Sequence, residues 1–159
     1  MEVLSGKTQS TKSSKVNIIS VLEELVHHRQ IAGGKPVPIL GCESASFFVK
    51  ADKNQLLAIL GHLVQNAQDA TEDSGKITIS QKRSTDGVVI EIEDSGTGMS
   101  EDFIKNNLFK PFKTTKGSKG MGIGVYEARE IISAIGGQIE VSSEVGVGTC
   151  FKLTIPAAL

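Results

Sequence analysis

Residues 88–99 read VVIEIEDSGTGM. Val88, Ile90 and Ile92 recur at every second position, the period of a β-strand with one buried face. That period also places Asp94 on the face that Ile90 and Ile92 bury. A carboxylate there needs a hydrogen-bond donor as partner. Gly96 and Gly98 follow at once. Lacking a Cβ, they let the backbone approach a flat ring. An acceptor beside such a surface suits the exocyclic amino group of adenine, which is a donor. A turn after an edge strand has the same appearance, so the motif alone leaves both readings open.

Downstream, residues 95–119 show little periodicity, and Phe109-Lys110-Pro111-Phe112 sits among basic and polar residues. A patternless stretch of this length inside a compact domain is a functional lid or is disordered. Lys110, Lys113, Lys116 and Lys119 bring positive charge that suits phosphate, although solvated loops carry lysines too. Gly120-Met121-Gly122-Ile123-Gly124 then precedes a helix expected over 125–135, ended by Gly136-Gly137. Successive backbone N–H groups and a helix N-terminus can cradle phosphate oxygens. A glycine linker is the plain alternative. The spacing is not that of a dinucleotide fingerprint, and no strand leads into it. Residues 138–143 and 149–155 are expected to close the chain as a hairpin around Gly146 and Gly148.

Upstream, residues 76–81 are expected to pair with 88–94 through Asp86-Gly87, a hairpin signal. Before them a helix is expected over 53–71, with Leu56, Leu60, Leu63, Ala67 and Ala70 as its apolar seam. Asp52 and Gln55 have capping-box spacing at its start. His62, Asn66 and Asp69 fall at i, i+4 and i+7, sharing a polar face beside that seam. Asn66 offers an amide oxygen, a ligand suited to a hard cation such as Mg²⁺. A lone asparagine on a helix is more often an ordinary surface residue. Residues 36–42 and 46–50 read as short strands. Val16, Ile19, Leu22 and Val26 mark a helix over 16–28, broken by Gly33-Gly34 and Pro36. Residues 1–15 are polar and aperiodic, and are expected to form a flexible leader to a single domain over 16–159. Ser5-Gly6-Lys7-Thr8 has the look of a phosphate-loop ending. That motif needs a glycine where Met1 stands and a buried strand ahead of it.

With 159 residues the chain has the size of one domain, and its formal net charge of −1 gives no basic field for nucleic acid. Cys42 and Cys150 are far apart without metal-ligand spacing, as small core residues of a reducing compartment are. No apolar run approaches the ~20 residues of a membrane span, and no signal peptide follows Met1. A cytoplasmic domain without direct membrane contact is expected. Most of the 17 glycines lie between Gly96 and Gly148.

Together the elements are far more specific than any alone. Their order is a helix with Asn66, Asp94-x-Gly-x-Gly, Phe-x-Pro-Phe, Gly-x-Gly-x-Gly, then Gly148-Thr149 in the last hairpin. The chain resembles the ATPase domain shared by gyrase, the Hsp90 chaperones, histidine kinases and the mismatch-repair MutL proteins, the GHKL or Bergerat-fold superfamily. Leu60 to Ala70 looks like the N box, Asp94 to Met99 the G1 box, Leu108 to Lys116 the F box, and Gly120 to Gly124 the G2 box. The resemblance implies an α/β fold, an α+β two-layer sandwich. Its mixed, mostly antiparallel sheet has about five strands, covered on one face by about three helices.

The Phe-x-Pro-Phe form is that of sensor histidine kinases. The resemblance therefore implies Mg-ATP as cofactor and transfer of its γ-phosphate to a histidine on a separate dimerisation domain. A response regulator is the implied downstream partner. Asn66 is implied as the Mg²⁺ ligand and Asp94 as the acceptor for the adenine amino group. Asp69, Gly96, Gly98, Met99 and Thr149 join the nucleotide site, and Phe109 and Phe112 anchor the lid. Thr114, Thr115, Lys116, Gly120, Met121, Gly122, Ile123 and Gly124 lie towards the phosphates. His62, Asn66 and Lys116 form the expected catalytic set. His62 stands where histidine kinases often have Asn; it contacts phosphate, positions a water, or is a partly buried helix histidine. His27 and His28 lack the acidic residue and Pro that mark an acceptor histidine, so the acceptor is expected upstream of this chain. Two alternatives remain: a serine kinase of the anti-sigma type, which usually lacks Phe-x-Pro-Phe, and a nucleotide-gated interaction module without transferase activity.

Overall fold

The computed structural model describes residues 13–42, 44–109 and 124–158. In chain order these form β1 (Ser14–Asn17), α1 (Ile18–Ala32), β2 (Ile39–Leu40), β3 (Phe48–Ala51), α2 (Lys53–Ala70), β4 (Ile77–Ser84) and β5 (Gly87–Asp94). Then come α3 (Glu101–Phe103), continued by a π-helical turn over Ile104–Leu108, α4 (Val125–Ala134), β6 (Gln138–Glu144) and β7 (Gly148–Ile155). The main sheet has five strands in the order β2-β4-β5-β7-β6, and β1 and β3 make a separate two-stranded sheet. Only the β2–β4 pairing of the main sheet is parallel.

The register follows the period-two pattern. Ile79 lies opposite Ile92, Ile92 opposite Phe151 and Ile90 opposite Leu153, so one face is continuously apolar. Residues of α1 (Val21, Leu22), α2 (Ile59, Leu60, Leu63) and α4 (Ala128, Ile132) fill the core with that face. The opposite face alternates out to Thr78, Lys82, Glu91, Glu93, Glu140 and Lys152, none of them buried. Its ion pairs, Lys82–Glu91 at 4.0 Å and Lys152–Glu140 at 3.9 Å, are exposed and contribute little. The expected two-layer sandwich is therefore the fold, with the α3 segment as a further helical piece among the described residues.

Several elements differ from the sequence expectation in their bounds. Val16 belongs to β1, opposite Val49 of β3, and the first helix begins at Ile18 and runs on to Ala32. Helical spacing cannot tell an apolar residue at the start of a helix from one that ends a strand; pairing with β3 decides. Ser14 and Lys15, placed in the leader by composition, are in the same strand. The strand expected over 36–42 contracts to Ile39–Leu40, since Pro36 and Pro38 have no N–H to donate to a ladder. The β4–β5 loop is Thr85-Asp86, because Gly87 already pairs with Ser84. Gly87 has φ +142, and a Cβ there would strike the carbonyl of Ile155 on β7. Cys42 and Cys150, expected in the core, are both half-buried. Burial, with Glu91 and Glu93 nearby, pushes the Cys150 thiol up to about 11.

Asp52 caps α2 as expected, accepting from the N–H groups of Asn54 and Gln55 at 3.0 and 3.2 Å. An arginine that the sequence did not mark locks α1 to α2. Arg29 donates to Gln65 Oε1 at 2.7 Å and to the Gly61 carbonyl at 2.8 Å. The helix ends at Gly33 with φ +80, a left-handed C-cap.

Leu60 is 0% exposed and Ile31 72%. Leu60→Ala is expected to lower the unfolding free energy by about 3 kcal/mol, and Ile31→Ala by under about 0.5 kcal/mol. Urea denaturation of the two variants checks this, and equal losses would contradict the core described.

Candidate functional site

The strand period carries Asp94 to the buried end of β5, directly opposite Thr149 of β7. Asp94 is 8% exposed and Thr149 7%. Asp94 Oδ1 accepts two backbone hydrogen bonds, from Gly96 N–H at 2.8 Å and Thr149 N–H at 3.3 Å. Both fall on the same oxygen, which leaves Oδ2 for a ligand donor. Burial raises the carboxyl above its ordinary value; the two backbone bonds oppose this and the neighbouring Glu93 adds to it.

The glycines after Asp94 also make room for the chain's own backbone, beside the ring contact expected from sequence. A Cβ on Gly96 would strike the carbonyl of Ala70 at the end of α2. A Cβ on Gly98, where φ is +74, would strike the carbonyl of Glu144 in the β6–β7 hairpin. Backbone bonds tie the same places: Thr97 N–H donates to Ala70 O at 3.0 Å, and Gly146 N–H to Thr97 O at 2.8 Å. The turn is thus clamped between α2 and the hairpin, and the chain's own backbone needs the missing side chains. Gly148, with φ +146, lies equally close to the Asp94 carbonyl.

Ser143 is a member of this cluster that sequence reasoning missed. Its Oγ receives Met99 N–H at 2.7 Å, lies 2.8 Å from Thr149 Oγ1 and donates to Gly148 O at 3.0 Å. The signal available was its register: Ser143 pairs with Thr149, as Thr149 does with Asp94.

On α2, Asn66 is half-buried, one turn before Ala70, where the Gly96 turn docks. Asp69 is exposed and accepts from Gln65 Nε2 at 3.0 Å. His62, half-buried, borders a groove between α1 and α2 with Leu25, Arg29, Leu57 and Gln65. The ring of Phe109, at the end of the π-helical turn, lies 4.6 Å under the Arg129 guanidinium of α4. Gly124 begins α4, its N–H held by Glu127 Oε1 at 2.8 Å. The structure therefore brings together Asp94, Gly96, Gly98, Met99 and Thr149, places Asn66 on the adjoining helix, and joins Phe109 to α4. Phe112, Thr114, Thr115, Lys116, Gly120, Met121, Gly122 and Ile123 lie outside the described residues.

A concavity of about 550 Å³ adjoins the site, with Lys76, Thr78, Glu93, Ser142 and Cys150 in its walls. These are residues of the polar sheet face and its rim, away from α2. Asp94, Ser143 and Thr149 of the site also line it.

This arrangement is that of an ATP-binding domain. Residues 51–159 match the family described as histidine kinase-, DNA gyrase B- and HSP90-like ATPase, and the chain belongs to that family. It is 38% identical over 124 residues to the sensor kinase CckA of Brucella abortus, with 68% of this chain and 13% of that protein covered. It is 36% identical over 113 residues to the sensor protein FixL of Bradyrhizobium diazoefficiens, covering 69% of this chain and 22% of that one. Both relatives are thus several times longer than the matched segment. The catalytic domain of histidine kinase ThkA superposes with a TM-score of 0.76 at 27% identity, covering 91% of this chain and 95% of that one. ThkA in complex with response regulator protein TrrA gives 0.75 at 26% identity, covering 93% and 42%.

The Asp94 geometry separates stability from binding. Asp94→Asn keeps an Oδ1 for both backbone N–H groups and replaces Oδ2 with a donor. Because the folded-state pKa is raised, the protonated form favours the fold, and that contribution is lost as pH rises through the folded pKa. Asp94→Asn is therefore expected to melt at or above the wild-type temperature at pH 7, and to lose ATP binding. A melting temperature lowered by more than a few degrees would show that the charge itself holds the turn. For wild type, ATP affinity is expected to weaken on acidification while the pH is still above the ordinary carboxylate value of about 4.

Proposed function

We propose that this chain is the ATP-binding catalytic domain of a sensor histidine kinase, presenting the γ-phosphate to a histidine on a separate helical dimerisation domain. The observation that carries it is the buried Asp94, with Oδ1 fixed by two backbone N–H groups and Oδ2 taken by no donor among the described residues. Adenine donates its amino group to Oδ2. Asn66 supplies one amide oxygen to Mg²⁺. Among the described residues no cluster of three His, Cys, Asp or Glu side chains is placed to hold a metal. A single amide donor fits a cation that takes most of its ligands from water and phosphate. When bound, Mg²⁺ neutralises charge on the phosphate oxygens.

The chain's own residues bind and orient. Phosphoryl transfer needs positioning and charge neutralisation more than a protein nucleophile. Thr149 and Met99 complete the wall around the base, and Asp69 lies one turn beyond Asn66. His62 and Lys116 complete the catalytic set. Phe109 and Phe112 anchor the lid, with Thr114, Thr115 and the run Gly120 to Gly124 towards the phosphates. Phe109 in particular is held to α4 by Arg129. The acceptor histidine and the response regulator are the partners, and the domain works in the cytoplasm. The Phe-x-Pro-Phe segment favours this reading over a serine kinase of the anti-sigma type. Likeness to named sensor kinases favours it over a nucleotide-gated module without transferase activity.

Calorimetric titration of ATP, with and without Mg²⁺, tests the pocket. Wild type is expected to bind in the micromolar range, Asp94→Ala to lose binding, and Asn66→Ala to lose the gain that Mg²⁺ gives. Adding the helical domain of the parent kinase should then yield acid-labile phosphohistidine. Acid-stable phosphoserine, or binding without transfer, would move one of the two alternatives to the front.

A further inference from the structure

The hydroxyl protons around Thr149 can be counted. Ser143 Oγ accepts Met99 N–H at 2.7 Å, because an amide can only donate. It also lies 3.0 Å from Gly148 O, and a carbonyl can only accept, so we assign the single Ser143 proton to that carbonyl. The remaining contact, 2.8 Å to Thr149 Oγ1, then has one possible direction: Thr149 donates. The Thr149 hydroxyl has spent its proton on Ser143 and offers only lone pairs elsewhere. Thr149 faces the same side of the sheet as Asp94, its ladder partner, whose Oδ2 is also an acceptor. Among the described residues this end of the site therefore presents two acceptors, Asp94 Oδ2 and Thr149 Oγ1.

We infer that Ser143 is a specificity-determining positioning residue, which fixes Thr149 as an acceptor and so excludes purines that carry a carbonyl where adenine carries its amino group. The inference rests on the ATP-binding reading above. Guanine would bring its O6 against Asp94 Oδ2 and Thr149 Oγ1, three acceptors with no proton between them. The buried site would leave them unpaired, which is how a polar pocket rejects an analogue. Ser143 has no direct contact with the base in this scheme; it acts through the orientation of the Thr149 hydroxyl. Removing Ser143 Oγ frees that hydroxyl to rotate and donate to O6.

The test is calorimetric titration of ATP and of GTP into wild type, Ser143→Ala, Ser143→Thr and the double variant Ser143→Ala with Thr149→Val. Wild type should prefer ATP. Ser143→Ala should lower the ATP-to-GTP affinity ratio about tenfold, the worth of one neutral hydrogen bond, mainly through a gain for GTP. Ser143→Thr, which keeps the hydroxyl, should restore the ratio. The double variant should lose the gain for GTP, since no hydroxyl remains to donate. A merely structural Ser143 would weaken both nucleotides alike, and an unchanged ratio in folded Ser143→Ala overturns the inference while leaving ATP binding intact. If Ser143→Ala does not fold, Ser143→Cys serves, because a thiol is a weak partner of nearly the same shape; its ratio should fall between wild type and unity, and a wild-type ratio overturns the inference. Wild type that binds neither nucleotide overturns the ATP reading, and this inference with it.

Discussion

The site depends on one buried carboxylate. Asp94 ends the central strand pair with Oδ1 bound to the N–H groups of Gly96 and Thr149. Those two bonds join the end of β5, the turn after it and the start of β7. Desolvation of the charge raises the carboxyl's pKa, so the ionised form is held at some cost to the fold. A residue that a fold tolerates at such a cost is a functional candidate on physical grounds alone.

Around Asp94 the backbone closes in on itself. Gly96 is pressed against Ala70, Gly98 against Glu144 and Gly148 against Asp94, each where a Cβ would meet a carbonyl. Helix α2, with Asn66, is therefore fixed relative to Asp94 through the turn as well as through the packing of its apolar seam on the sheet. Ser143 adds a second tie, from the hairpin to Met99 and Thr149. Preorganisation of this kind leaves little to rearrange when a ligand's base enters.

Much of this was legible in the sequence, for stated reasons. The alternation from Val88 to Asp94 gave both the strand and the buried carboxylate, because a period of two is unambiguous over seven residues. The seam of α2 and its cap at Asp52 were legible because a long helix repeats its signal. Val16 was not, since its pairing with Val49 is a contact between distant residues. The glycines were legible as places where something comes close; only the fold shows that the carbonyls of Ala70 and Glu144 do so. Ser143, Arg29 and the Phe109–Arg129 contact carried no local signal, since each gains its meaning across a fold-dependent gap.

The two margins of the main sheet have a consequence beyond the site. Among the described residues the sheet ends on one side at β2, only Ile39–Leu40 long and preceded by Pro36 and Pro38. On the other it stops at β6, whose outward residues include Gln138, Glu140, Ser142 and Glu144. Unpaired strand edges are templates for another chain, and short length, proline and charge are the features that blunt them. Strand addition, one route by which a sheet recruits a neighbour, is thereby disfavoured at both of these margins. A sheet with margins blunted in this way is complete as it stands and does not grow by adding a strand.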